Sequence, residues 1–264
     1  MISFLIIVPT LNTHQIITKL ISSIKSQTYS NLRVVFVDGN SNIEHVNYLN
    51  SVCKNDKRFY FVKQEKNRKG VFGAMNQGFK FAKNNEWIIF LGSDDWFYSD
   101  DVLNIIANRI NKFKEDRENP DLIFGKARYI NYQKEKMGRT SKFQNIFNYK
   151  LSLFFGSVPP HQATVFGPTS YEYLNNYSEE ISLSADLDYF LKIRNKKKLF
   201  VDQIDQNFVF IGQGGLSGRN VLERIKQVLI CYFKSFKLLF FIPFFMRYYL
   251  RSFDFFRKFF WRIN

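Results

Sequence analysis

Cysteine is nearly absent from this 264-residue chain. Cys53 and Cys231 are the whole set, too few for a disulfide framework, which fits a reducing compartment. Acidic residues are outnumbered, 23 Asp and Glu against 38 Lys and Arg, and the formal net charge is +15. The opening MISFLIIVPT lacks a basic segment ahead of its apolar stretch, and Pro9 cuts that stretch off, so it reads as a first strand rather than a secretion signal. Internal repeats are missing as well. Against these absences stand 45% hydrophobic residues and an unusual aromatic load of 31 Phe, 14 Tyr and 3 Trp. That content supports a packed core and excludes a disordered chain.

The excess charge is concentrated. From Arg219 to Asn264 ten basic residues face two acidic ones, Glu223 and Asp254, and the same stretch carries 15 aromatic rings. Composition thus divides the chain near Gly218 into a body, residues 1–218, and a basic, Phe-rich tail, residues 219–264. Helical spacing of Val221, Leu222, Ile225, Val228 and Leu229 opens the tail as an amphipathic helix. Beyond it Lys234, Lys237, Pro243 and Arg247 leave an uncharged run of only nine residues, Leu238 to Met246, well short of the roughly 20 that a membrane-spanning helix needs.

In the body, short β-rich runs (Phe4–Val8, Arg33–Val37, Phe59–Val62, Trp87–Leu91) alternate with helical patterns. One helical face carries Ile16, Ile17, Leu20, Ile21 and Ile24, a second runs from Val71 to Ala82, and a third from Asp100 to about Lys114. This rhythm predicts an α/β fold, a Rossmann-like, mostly parallel sheet with helices on both faces. Ligands of such sheets sit beyond the carboxyl ends of the strands. Polar residues stand there in this chain: Pro9-Thr10-Leu11-Asn12 after the first strand, Asp38-Gly39-Asn40-Ser41 after the second, and Gly92-Ser93-Asp94-Asp95 after the fourth.

Two adjacent carboxylates repel each other unless a cation lies beside them, and Mg²⁺ or Mn²⁺ suits oxygen ligands of this kind. The plainer reading of Asp94-Asp95 is a turn in which Asp95 caps a helix. The stretch from Lys69-Gly70 through Asn76 to Gly78 opens a helix, and its glycines serve either packing or a phosphate-binding loop.

Taken together in order, FLIIVPTLN, SQTYSNLRVVFVDGNS, KGVFGAMNQGFKFAKNNEWIIFLGSDDWFY, HQATVF, SADLDYFLKI and GGLS resemble the inverting family 2 glycosyltransferases of GT-A fold, in their bacterial surface-polysaccharide branch. The resemblance covers about residues 2 to 217. It implies that Pro9, Thr10 and Asn12 line a nucleotide-sugar pocket, with Asp38 on the base or ribose. Lys69, Gly70, Asn76 and Ser93 join that donor site. Asp95 would be the metal ligand, for Mn²⁺ or Mg²⁺, with Asp94 touching the ribose or standing one contact behind the metal. Asp186 falls where the family places the base that deprotonates the acceptor hydroxyl, and Asp188, two residues on and off that helix face, is its rival. His161 after Pro159-Pro160 is a candidate contact to acceptor or diphosphate, or a structural histidine. The chain departs from the pattern at three places: Gly39 and Gly73 stand where relatives carry Asp, and Ala185 replaces an acid before the base.

The reading is a cytoplasmic-face enzyme, peripheral on the inner side of the membrane. It would move a sugar from a nucleotide-sugar donor, with UDP the default, to a lipid-linked glycan, as in O-antigen, capsule or exopolysaccharide assembly. Basic residues interleaved with aromatics suit an anionic membrane surface; helices covering the core and a nucleic-acid surface are the competing readings of the tail. No nucleic acid is expected as a partner, because no RNA-binding module is recognisable. Two rivals for the whole chain are a sugar-1-phosphate nucleotidyltransferase, which would want an Arg-containing Gly-rich loop after the first strand, and a non-enzymatic basic adaptor.

Overall fold

A computed structural model describes residues 1–115, 119–131, 136–212 and 220–249. The first four predicted strands are present: β1 (Ser3–Thr10), β2 (Leu32–Asp38), β3 (Phe59–Lys63) and β4 (Glu86–Phe90). Between them lie α1 (Thr18–Lys25), α2 (Ile43–Asn55) and α3 (Gly70–Phe79). These strands pair in parallel in the order β3-β2-β1-β4. Along β1, Phe4, Ile6 and Val8 enter one half of the core while Leu5 and Ile7 enter the other. Burial on both faces is why the run is apolar without alternation.

The remainder of the sheet corrects the expectation of a mostly parallel array. β5 (Trp96–Phe97), α4 (Val102–Glu115), β6 (Leu122–Asn131), β7 (Lys136–Ser141), α5 (Tyr149–Phe154), β8 (Thr164–Phe166), α6 (Pro168–Tyr173), α7 (Ala185–Ile193) and β9 (Val201–Gly212) follow. The sheet continues β4-β8-β6-β9-β5, with β7 on β6. β4–β8, β6–β8, β6–β7 and β5–β9 are antiparallel, and only β6–β9 is parallel. Register shifts where β6 meets β7 and β9 accompany this change, as expected of a sheet that curls. The fold is therefore a mixed α/β sheet with flanking helices.

Composition divides the chain near Gly218, and packing joins the two parts. Helix α8 (Val221–Phe236) buries Gln227, Val228, Cys231 and Tyr232 against the body. Gln227 accepts the Leu183 backbone N–H at 2.8 Å, just ahead of α7. Arg194 at the end of α7 donates to the Ser235 carbonyl at 2.7 Å and stacks 4.1 Å from the Phe236 ring. After a 3-10 turn (Lys237–Leu239) the chain is helical again over 241–249. Phe236, Phe240 and Phe244 lie on the body, whereas Phe241, Phe245 and Tyr249 face outward, 46%, 66% and 60% exposed. No helix among the described residues is long and apolar enough to cross a membrane.

Candidate active site

The carboxyl ends of β1, β2 and β4 meet at one edge because those strands are parallel neighbours. Their loops are stitched together: Gly39 N–H donates to the Thr10 carbonyl at 2.8 Å, Asn12 N–H to Ser41 Oγ at 2.8 Å, and Asn42 N–H to Asn12 Oδ1 at 2.8 Å. Asn12 holds a left-handed backbone (φ 53°) to make this turn. Pro9 and Thr10 are buried below it. Asp38 is buried as well. Its Oδ1 accepts from Thr10 Oγ1 at 3.1 Å and from Ser41 Oγ at 2.5 Å, its Oδ2 accepts from Ser41 N–H, and His45 Nε2 on α2 lies 3.5 Å from Oδ1. His45 is completely buried, and that burial lowers its pKa against the opposing pull of Asp38.

β4 runs into the Gly92-Ser93-Asp94-Asp95 turn. A Cβ placed on Gly92 would lie 2.8 Å from Asp94 Oδ1 and 2.9 Å from Asp95 Oδ2, so the two carboxylates converge on a space that only glycine leaves open. Gly92 N–H donates to Asp95 Oδ2 at 2.7 Å, and Gly212 and the Gln162 side chain also hydrogen-bond that carboxylate. Burial, and then the charge of Asp94, push Asp95 well above the usual carboxylate range; burial raises Asp94 in the same direction. Asp95 has no cationic side chain of the described residues within ion-pair distance. Two crowded carboxylates with raised proton affinity are a donor set for a hard divalent cation, which carries away the repulsion. Three or more acidic, His or Cys side chains do not cluster in the described residues, so such a cation would draw its remaining ligands from water or a substrate phosphate. Ser93 is half-buried in the same turn.

Asp186 and Asp188 lie in the first turn of α7. Asp188 is buried and pairs with Lys192 at 2.6 Å, whereas Asp186 is half-buried and sits within electrostatic reach of His161 and Tyr177. His161 lies over Phe90, with ring centroids 5.4 Å apart, and shares a 2.8 Å hydrogen bond between Nε2 and the Tyr177 hydroxyl. Burial brings its pKa down to about 4, against the pull of Asp186, so this imidazole is neutral near pH 7.

The α3 loop is arranged differently from a free phosphate cradle. Glu179 accepts from the Lys69 backbone N–H at 3.0 Å, from Arg68 at 2.7 Å and from Asn76 at 3.0 Å. Asn76 also clasps the backbone of Tyr177 with both ends of its amide. A carboxylate of the protein thus holds the start of the helix, where the dipole favours an anion. Gly70 has a left-handed backbone (φ 63°) with open space around it, whereas Gly78 packs directly on Ile7. Between Gly39 and Gly73 lies one side chain, Gln64: a Cβ on Gly39 would meet its Oε1 at 3.3 Å, and one on Gly73 its Nε2 at 3.1 Å.

Gln162, Tyr177 and Glu179 belong to these arrangements and were not singled out in the sequence. Gln162 had a local signal as the neighbour of His161. The others meet their partners only through long-range packing.

A curled mixed sheet with an Asp-Asp turn after β4, a buried Asp at the end of β2 and a half-buried Asp in the first turn of α7 is the arrangement of a GT-A-like glycosyltransferase. Residues 5–177 match the sequence profile of Glycosyl transferase family 2, and the chain belongs to that family. It is 28% identical over 191 residues to the PGL/p-HBAD biosynthesis glycosyltransferase of Mycobacterium bovis, covering 72% of this chain and 68% of that protein. Solved structures share the fold. S. aureus TarS 1-349 in complex with UDP-GlcNAc superposes with a TM-score of 0.68 at 18% identity, over 88% of this chain and 66% of TarS 1-349. The mannosyltransferase PcManGT of Pyrobaculum calidifontis, in complex with GDP-Man and Mn²⁺, gives 0.62 at 15% identity, over 92% of this chain and 69% of that one.

Proposed function

We propose that this glycosyltransferase moves a sugar, with inversion, from a UDP-sugar to a hydroxyl of a lipid-linked glycan in surface polysaccharide assembly, at the inner face of the membrane. The observation that carries the reading is the convergence of Asp94 and Asp95 over Gly92, at the strand edge where Thr10 and Asp38 also end. The loops after β1 and β2 form the nucleotide wall, with Pro9, Thr10, Asn12 and Asp38 toward the base and ribose. Ser93 and Asp94 continue it, and Lys69 and Gly70 stand at its rim. Asp186 takes the proton of the acceptor hydroxyl as that oxygen attacks the anomeric carbon from the face opposite the leaving group. The bond to the diphosphate breaks in the same displacement, which inverts the centre. Asp95, with Asp94 beside it, would hold Mn²⁺ or Mg²⁺, which supplies compensation for charge on the leaving diphosphate. Solved relatives bound to UDP-GlcNAc and to GDP-Man with Mn²⁺ support a nucleotide-sugar donor and a metal. The outward row of Phe241, Phe245 and Tyr249 beside exposed Lys234 and Lys237 supports an anionic membrane surface as partner.

A thermal-shift panel of UDP, GDP, dTDP and CMP, each with and without Mn²⁺, tests the donor site. A ligand that binds only the folded state raises its apparent stability by RT ln(1 + [L]/Kd), about 2.7 kcal/mol at a hundredfold excess over Kd. The expected result is a Mn²⁺-dependent shift with UDP that disappears in Asp95→Ala. A shift that survives Asp95→Ala overturns the metal assignment, and a preference for GDP or dTDP overturns UDP.

A further inference from the structure

Helix α8 lies beyond the residues that match the family profile, and it grips α7, the helix that carries Asp186, at both ends. Gln227 makes the contact at the start of α7 and is itself buried, 7% exposed. Its Oε1 accepts the Leu183 backbone N–H at 2.8 Å, which fixes the orientation of the amide. Its Nε2 then donates to Ser182 Oγ at 3.3 Å and to Glu223 Oε1 at 3.1 Å. One turn along α8, the Cys231 thiol donates to the Ser184 carbonyl at 3.8 Å. At the far end of α7, Arg194 donates to the Ser235 carbonyl and stacks on Phe236. The tail is anchored further on as well. A Cβ on Gly156 would fall 2.3 Å from the Arg247 backbone nitrogen, so the 241–249 helix lies directly on the body, at a residue whose left-handed backbone (φ 77°) suits glycine.

The first backbone N–H groups of a helix have no partner within it, and the side chain of the capping residue commonly takes one of them. Ser184, the N-cap of α7, makes no such bond. The turn ahead of α7, residues 182–184, is held from outside by Gln227 and Cys231. Asp186 follows two residues later, so what fixes this turn also fixes where its carboxylate stands. We propose that Gln227 is a positioning residue for Asp186 in sugar transfer, which makes α8 a splint for the transfer site as well as part of a surface-binding tail. The proposal rests on the reading of Asp186 as the base. A base displaced by about an ångström loses the near-attack geometry that supplies much of the rate. The donor, held by the loops after β1, β2 and β4, keeps its affinity.

The test compares two variants of the full chain. Gln227→Met keeps length and bulk but removes the acceptor. The exchanged pair, Gln227→Glu with Glu223→Gln, keeps an oxygen on the Leu183 N–H and an amide–carboxylate contact between the two positions. Hydrogen–deuterium exchange reads the contact, because it reports local opening. Peptides covering 182–188 should exchange at least about tenfold faster in Gln227→Met and close to wild type in the exchanged pair. Unchanged exchange in Gln227→Met overturns the proposal. Turnover reads the role, as release of UDP from UDP-GlcNAc to water with Mn²⁺, or of GDP from GDP-mannose where the nucleotide panel selects GDP. In Gln227→Met, kcat should fall about tenfold or more with donor KM within about twofold, and the exchanged pair should stay within about threefold of wild type. Full turnover in Gln227→Met, or equal losses in both variants, overturns the proposal. Asp186→Asn tells the two failures apart: full turnover there removes the base from Asp186, and faster exchange at 182–188 then stands as a helix contact with no part in proton transfer.

Discussion

His161 shows how one buried side chain sets a pH dependence. Its folded pKa of about 4 lies below the ordinary histidine value of 6.5, so between these values the unfolded chain takes up a proton that the folded chain refuses. Stability then rises with pH across this window and is lost as pH falls from about 6.5 toward 4, by up to about 1.4 kcal/mol per unit. Denaturant midpoints measured at pH 4.5, 5.5, 6.5 and 7.5 should fall steeply on the acid side in wild type and less so in His161→Gln. His45 contributes in the same direction in both proteins, so the difference between them isolates His161. Parallel profiles would show that His161 is not held neutral. At this scale the sequence was most informative where a residue's partner is close in the chain. Asp94, Asp95 and Asp38 stood out because each ends a strand. Tyr177 carried no local mark, since His161 reaches it only after the chain has folded.

At the scale of elements, the parallel half of the sheet was legible because its strands are buried on both faces and therefore read as unbroken apolar runs. β9 was not, as its first half, Val-Asp-Gln-Ile-Asp-Gln-Asn, is polar and half-exposed, and β5 has only two residues. Helix α2 was also missed; its buried residues are just His45, Leu49 and Val52, too few for a clear apolar stripe. The seat of the 241–249 helix on Gly156 makes its own prediction. Gly156→Ala adds a Cβ where helix backbone already stands, at a positive φ, and should cost well over about 1 kcal/mol, measured as a lower urea midpoint. An unchanged midpoint would mean that the two segments do not need this contact.

For the whole molecule, the formal charge of +15 and the outward aromatic row give a surface with a direction. Lys and Arg near anionic lipid contribute roughly 1 kcal/mol each before screening, and buried aromatic rings add an apolar contribution that salt does not remove. Flotation with phosphatidylglycerol vesicles should therefore recover the full chain, with less recovered as salt rises, and phosphatidylcholine vesicles should recover little. Leu238→Ser with Phe241→Ser and Phe245→Ser, all exposed positions, should lose flotation with little change in thermal midpoint. Flotation that withstands the triple change would move the membrane contact elsewhere on the surface.

The side chain of Gln64, wedged between Gly39 and Gly73, also constrains how this pocket can evolve. At Gly39 an introduced acid meets the glutamine first, whereas at Gly73 it meets the Arg68 backbone at 3.0 Å and the glutamine at 3.1 Å. The order of mutational steps then matters at 39: a smaller residue at 64 opens the way, whereas an acid arriving first is crowded. Variation at 39 should accordingly be inherited together with variation at 64, a case of epistasis written into the pocket wall, whereas 73 stays closed by backbone.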